Sequence, residues 1–195
     1  MSTTSTSTSS DWTVYEYNTW MSQGCPENTK VKSLVLSFSG ISELSSDIYK
    51  LGDLECLEIR HTNITTLPSE IGLLTLLSSL DISDTKIESF PDSISNLKNL
   101  SELFISLTNI SDLTPVCKLV NLEALYAAKT RITELPVEIS NLKNLTLLDI
   151  SSNNIKMAKE LVSFFKTLTF LGVSTLSCCK MTLQHVLQNK KQFFC

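Results

Sequence analysis

Glycine, histidine and positive charge are all scarce in this chain. Five glycines and two histidines in 195 residues leave little material for Gly-rich phosphate loops or His-based metal and catalytic clusters. Sixteen Lys and Arg against twenty Asp and Glu give a formal charge of −4, so no basic footprint exists for wrapping nucleic acid or an anionic membrane. No apolar run approaches the roughly 18 residues that a membrane-spanning helix needs. The six cysteines, Cys25, Cys56, Cys117, Cys178, Cys179 and Cys195, share no common spacing, which reads as reduced thiols and not as a disulfide framework. The first ten residues, MSTTSTSTSS, carry neither a basic segment nor an apolar segment and so do not read as a signal peptide; the expectation is an intracellular, cytoplasmic protein.

What the chain has in abundance is leucine at a fixed period. Leu34, Leu57, Leu80, Leu103, Leu125, Leu148 and Leu171 follow one another at intervals of 23, 23, 23, 22, 23 and 23 residues. Segments such as 54-LECLEIRHTNITTLPSEIGLL-74, 77-LSSLDISDTKIESFPDSISNL-97 and 122-LEALYAAKTRITELPVEISNL-142 share the pattern L-x-x-L-x-L-x-x-T-x-I-x-x-L/F-P-x-x-I-x-x-L. Such internal periodicity marks a repeat architecture. Within each unit the pairs 57 and 59, 80 and 82, and 103 and 105 alternate at period two, as a short strand with one buried face demands. The strand recurs after a crossover length, so neighbouring strands pair parallel and build one continuous sheet. Ser39, Thr62, Thr85, Thr108, Thr130 and Asn153 follow the strands and form a column of small polar side chains suited to turn hydrogen bonds. Pro68, Pro91 and Pro136 suit the first position of a short helical turn whose residues at +3 and +6 face inward. A single unit cannot bury enough apolar surface to offset the entropy of ordering it, so the units must stack.

These residues resemble the leucine-rich repeat proteins over about 31 to 176, and the Thr ladder followed by I-x-x-L-P, as in 59-IRHTNITTLPSEIG-72, is similar to repeats of intracellular members, including plant nucleotide-binding immune receptors. The resemblance implies an α/β solenoid: a seven-strand parallel concave sheet, short helical or 3-10 turns on the convex side, and a helical cap at each end. On this reading residues 1–10 are a Ser/Thr-rich tail, 11–30 an N-terminal helical cap, 31–176 seven repeats and 177–195 a C-terminal helical cap. Asp11 is the expected N-cap of the first cap helix, with Trp12, Tyr15 and Trp20 covering the first repeat. The segment 156-KMAKELVSFFKTL-168 is a stronger helix former than the Leu-Pro turns before it, and Leu176 replaces the ladder residue. The solenoid is expected to end there. No phosphate-binding G-x-x-x-x-G-K-[ST] loop accompanies the repeats, so no nucleotide or other cofactor is expected.

Function is expected on the concave face. The outward strand centres are Val35, Glu58, Asp81, Phe104, Tyr126, Asp149 and Gly172. The next outward column is Ser37, Arg60, Ser83, Ser106, Ala128, Ser151 and Ser174, and the preceding one Ser33, Cys56, Ser79, Glu102, Ala124, Leu147 and Phe170. Glu58, Arg60, Asp81, Phe104, Tyr126 and Asp149 are the candidate binding residues, with Phe104 and Tyr126 as the hot spot. The same two rings also serve the sheet itself, because paired aromatics stabilise neighbouring strands. Glu58 and Asp81 would be like-charged neighbours, a cost that a basic partner would relieve. His61, Asp84 and Ser83 fall close together after the strands, but an open sheet supplies neither pocket nor oxyanion hole, so no catalytic role is assigned. Cys178, Cys179, His185 and Cys195 match no usual zinc spacing, and no metal is expected.

Three readings follow. The first is a non-enzymatic adaptor or scaffold holding a protein partner on the concave face. The second is a structural component of a large assembly such as a virus particle, in a minor capsid or cementing role with the Ser/Thr tail as anchor, which would place it in the virion. The third is a truncated recognition protein like an immune receptor.

Overall fold

The computed structural model describes residues 10–27, 30–156 and 159–173. The tail over 1–9, Ser174, Leu176, the four zinc-pattern residues and the C-terminal cap over 177–195 lie outside the described residues. Eight three-residue strands run in chain order across one parallel sheet: β1 (Asp11–Thr13), β2 (Ser33–Val35), β3 (Cys56–Glu58), β4 (Ser79–Asp81), β5 (Glu102–Phe104), β6 (Ala124–Tyr126), β7 (Leu147–Asp149) and β8 (Phe170–Gly172). The register sets Leu34, Leu57, Leu80, Leu103, Leu125, Leu148 and Leu171 side by side on the inner face. All seven are buried. Pairing runs past the named strands, for example from Ile59 N–H to Asp81 O (2.8 Å) and from His61 N–H to Ser83 O (3.0 Å).

Seven strands were expected and the described residues form eight, because the N-terminal cap opens as a strand. Asp11 is not an N-cap: it pairs in register with Ser33 while Trp12, beside Leu34, turns inward onto the open core of the first repeat. The strand also satisfies backbone that a helix would leave bare, since Ser10 O accepts from Lys32 N–H and Ser33 N–H at 2.7 and 3.0 Å. Helix α1 (Val14–Ser22) starts directly after the strand, two residues later than an Asp11 cap would set it, capped by Thr13 in a reciprocal box with Glu16. Tyr15 is likewise corrected: at 74% exposure it points to solvent, and Tyr17 takes its place beside Trp20. The Tyr17 hydroxyl accepts Ser45 N–H at 3.0 Å, and Trp20 Nε1 donates to Pro26 O at 3.0 Å, so each buried aromatic keeps its polar end paired.

Opposite the sheet, 3-10 turns span Ser46–Lys50, Ser69–Leu73, Asp92–Asn96, Val116–Lys118, Val137–Asn141 and Lys159–Leu161, the last running into α2 (Val162–Phe165). Pro68, Pro91 and Pro136 stand at the cap, one residue before the turn, where extended ψ values near 150° aim the chain into it. Ile71 and Leu74, Ile94 and Leu97, and Ile139 and Leu142, at +3 and +6, are all buried. Gly72 packs so closely on the next turn that a Cβ there would collide with Ser93, its Cβ included at 2.7 Å.

The ladder column closes each strand end. Thr62, Thr85 and Thr108 are buried and donate to the carbonyls of Ile59, Ile82 and Ile105 at 2.8, 2.7 and 2.7 Å. Asn153 does more, reaching Ile150 O (3.1 Å) and Ala127 O (2.6 Å) with Nδ2 while Oδ1 accepts from Thr130 N–H (2.7 Å) and its hydroxyl (2.9 Å). One rung thus ties two repeats together.

Candidate functional site

The outer face of the sheet is set by the same register that fills its inner face. Residues alternate across a strand, so the neighbours of each buried leucine point away from the core. Glu58 pairs with Asp81, Asp81 with Phe104, Phe104 with Tyr126, and Tyr126 with Asp149. Five of the six predicted site residues therefore form one uninterrupted row, and Arg60 lies two residues along from Glu58 on the same face.

Phe104 and Tyr126 stack with ring centroids 4.6 Å apart and planes 5° from parallel, a separation close to the strand spacing. Both are half-buried. Asp81 and Asp149 flank the pair, and each turns one carboxylate oxygen back to its own chain, accepting Ser83 N–H at 2.9 Å and Ser151 N–H at 3.0 Å. Glu58 and Asp81 are register neighbours of like charge, as the repeat alignment expects. Between the strands the Cys56 thiol is pushed up by burial and then by the Glu58 carboxylate, which disfavours a reactive thiolate there.

Arg60 does not join the aromatic pair. Its guanidinium carbon sits 4.9 Å from the ring centroid of Phe38, which is 65% exposed, and the His61 ring lies 5.0 Å from the same ring. Phe38 was not among the expected site residues. It belongs to a column that alignment by strand alternation passes over: Phe38, His61, Asp84, Leu107, Lys129 and Ser152, with φ from 53° to 62°. Each precedes a ladder residue and bends the chain out of the sheet in the left-handed conformation; none is β-branched, the class for which that conformation is least tolerable. The signal was in the sequence, as the exposed position always one residue before the ladder.

His61 Nδ1 and Asp84 Oδ2 lie 2.5 Å apart in this column. No hydrogen bond among the described residues links the Ser83 hydroxyl to them, and the pair stands on an open surface. Among the described residues no group of three or more His, Cys, Asp or Glu side chains could hold a metal ion. No helix among them is long and apolar enough to cross a membrane.

Comparison with known proteins gives the same architecture. Residues 31–111 match the family described as leucine-rich repeat region. A leucine-rich repeat protein of Leptospira interrogans is similar in fold at 25% identity and TM-score 0.67, over 75% of this chain and 43% of that one. The internalin InlF of Listeria monocytogenes superposes at 24% identity and TM-score 0.69, over 85% of this chain and 47% of its own. A plant peptide hormone receptor, RGFR1, in complex with RGF2, follows at 26% identity and TM-score 0.62, over 73% of this chain and 25% of that one. The chain thus spans less than half the length of each of these three structures. Among curated proteins none matches its sequence. Residues 31–111 thus carry the leucine-rich repeat pattern, and the open parallel sheet with short convex turns is the fold of a leucine-rich repeat solenoid.

Proposed function

We propose that this protein is a non-enzymatic recognition module that holds another protein against its concave face, acting as an adaptor or scaffold. Leucine-rich repeats are typically protein-interaction modules, and one structural neighbour is a receptor in complex with RGF2. The observation that carries the proposal here is the Phe104–Tyr126 stack, a large apolar surface in the middle of a row that the core does not require. Small residues at Ser83, Ser106, Ala128 and Ser151 in the adjoining column leave a partner's backbone room to approach. Free thiols at Cys25, Cys56 and Cys117 fit work in a reducing compartment.

The test is site-directed photocrosslinking in source cells, with a benzophenone amino acid at Ala128 beside Tyr126 or, as the control, at Asn96 on a convex turn. A discrete adduct to another protein from position 128, lost when Phe104→Ala and Tyr126→Ala are combined, is the expected result. Adducts from position 96 alone would overturn the assignment of the concave face.

A further inference from the structure

Position 172 is the one member of the outward row without a side chain, and its neighbour has moved into the space. A Cβ built on Gly172 would collide with Asp149 Oδ1 and lie 2.9 Å from its Cγ. Asp149 therefore leans over β8, away from Tyr126, and Ser151 N–H holds it there at 3.0 Å. Tyr126 and Gly172 are two strands apart, which is about 9.6 Å. Because the two rings lie parallel, the face of Tyr126 not covered by Phe104 looks toward β7 and across the gap to the Asp149 carboxylate. An open slot results, with an aromatic wall on one side and an anionic wall on the other.

The dimensions and charge select one kind of occupant. A planar cation stacked about 3.5–4 Å above a ring and hydrogen-bonded to a carboxylate at about 2.8 Å spans roughly 7 Å, more than one strand spacing and less than two, so it needs a carboxylate displaced toward β8 as that of Asp149 is. The three outward columns hold four acids, Glu58, Asp81, Glu102 and Asp149, against one base, Arg60. That base is engaged elsewhere, over Phe38 at 4.9 Å, so this face already caps one exposed ring with its own guanidinium. No cation of the described residues caps the Phe104–Tyr126 pair. We infer that the slot between Tyr126 and Asp149 receives an arginine side chain from an extended, basic segment of a partner protein. This rests on reading the concave face as the protein-binding surface. Arginine is selected over lysine because a guanidinium stacks flat on a ring while its edge bonds a carboxylate, whereas an ammonium is a hydrated point charge.

The test uses the full chain with isotope-labelled tyrosine rings and short synthetic peptides repeating Gly-Ser-Arg, with Lys, Glu and Leu versions as comparators. The Arg peptide is expected to shift the Tyr126 ring resonances, and the Lys version to bind roughly 5-fold more weakly, the loss of about 1 kcal/mol of stacking. Gly172→Ala, whose Cβ would meet the Asp149 carboxylate and also lie 3.2 Å from the Phe170 ring, displaces the carboxylate and should weaken Arg binding by roughly 10-fold, as should Asp149→Asn, which removes the charge yet still accepts Ser151 N–H. Melting curves of both variants separate a closed slot from a damaged fold. Equal shifts with the Glu or Leu peptide, or Arg binding untouched in both folded variants, would overturn the inference. Failure here is distinguishable from failure of the binding surface. An adduct from position 128 that maps to an acidic or apolar segment, or to a second copy of this chain, removes the arginine slot while the concave face stands.

Discussion

The two faces of the same strands obey different rules. Inward, the central residue of each repeat's strand is leucine, fully or almost fully buried. Outward, one residue away, the row changes at each strand from Val35 through Glu58, Asp81, Phe104 and Tyr126 to Asp149 and Gly172. The inner face meets the same environment every 22 or 23 residues, because each repeat covers and is covered by a near copy of itself. The outer face meets solvent or a partner, and nothing in the fold constrains its identity. The difference shows where the demands of packing end.

The largest effect should come from crossing that line inward. Leu103→Ala is expected to destabilise the protein by about 3–5 kcal/mol in denaturant titration, while Phe104→Ala, its chain neighbour, should cost about 1 kcal/mol or less. Comparable losses at the two positions would mean that the aromatic pair is part of the structural core.

Next come the ladder rungs. Asn153→Ala removes hydrogen bonds to two repeats and should cost about 2–4 kcal/mol, against about 1–2 kcal/mol for Thr85→Val, whose hydroxyl serves its own turn alone. Equal losses would show that the span between repeats adds nothing.

At the N-terminal edge, Thr13→Val should cost about 1 kcal/mol by removing the cap of α1. The same cap carries a pH dependence. The Thr13 hydroxyl and backbone N–H hold the Glu16 carboxyl below its usual range. A depressed carboxylate stabilises the fold above its unfolded pKa and loses that contribution as pH falls through the folded value. Protection factors of the α1 amides, corrected for the slower intrinsic exchange in acid, should therefore fall as pH drops below the ordinary carboxylate range, before those of the central repeats. A synchronous loss of protection along the chain would contradict this.

The smallest effect is chemical. Burial, more than the nearby Glu138 and Asp112 carboxylates, pushes the Cys117 thiol up to about 12. Mapped by mass spectrometry at neutral pH, native Cys117 should alkylate more slowly than half-buried Cys56. The reverse order would place an opening in the fourth repeat.

Most of the fold was readable because it rests on local period. Alternation identified the buried leucines, the ladder followed from small polar residues at a fixed offset, and the turn residues at +3 and +6 from proline followed from helical spacing. The cap misled for a specific reason. Its aromatics were placed on one helix, although Thr13-Val14-Tyr15-Glu16 is a capping-box pattern that puts the helix start after Trp12. The row of site residues could also be written down from the alignment. The ring stack, the engagement of Arg60 by Phe38 and the lean of Asp149 could not, since each depends on which rotamer fits beside a neighbour 22 or 23 residues away. Gly172 is the clearest example: its effect appears on Asp149, one strand over.

The direction of the sheet bears on how the molecule yields to force. Every inter-strand hydrogen bond points along the solenoid axis, so tension applied to the two ends loads one strand pair at a time, as a zipper is opened, and never a whole pair in shear. Stretched in an optical trap, the chain should lengthen in steps of about 75 Å, the extended contour of one repeat less its folded rise. The stitch between the Ala127 and Ile150 turns through Asn153 should fuse two of those steps into one.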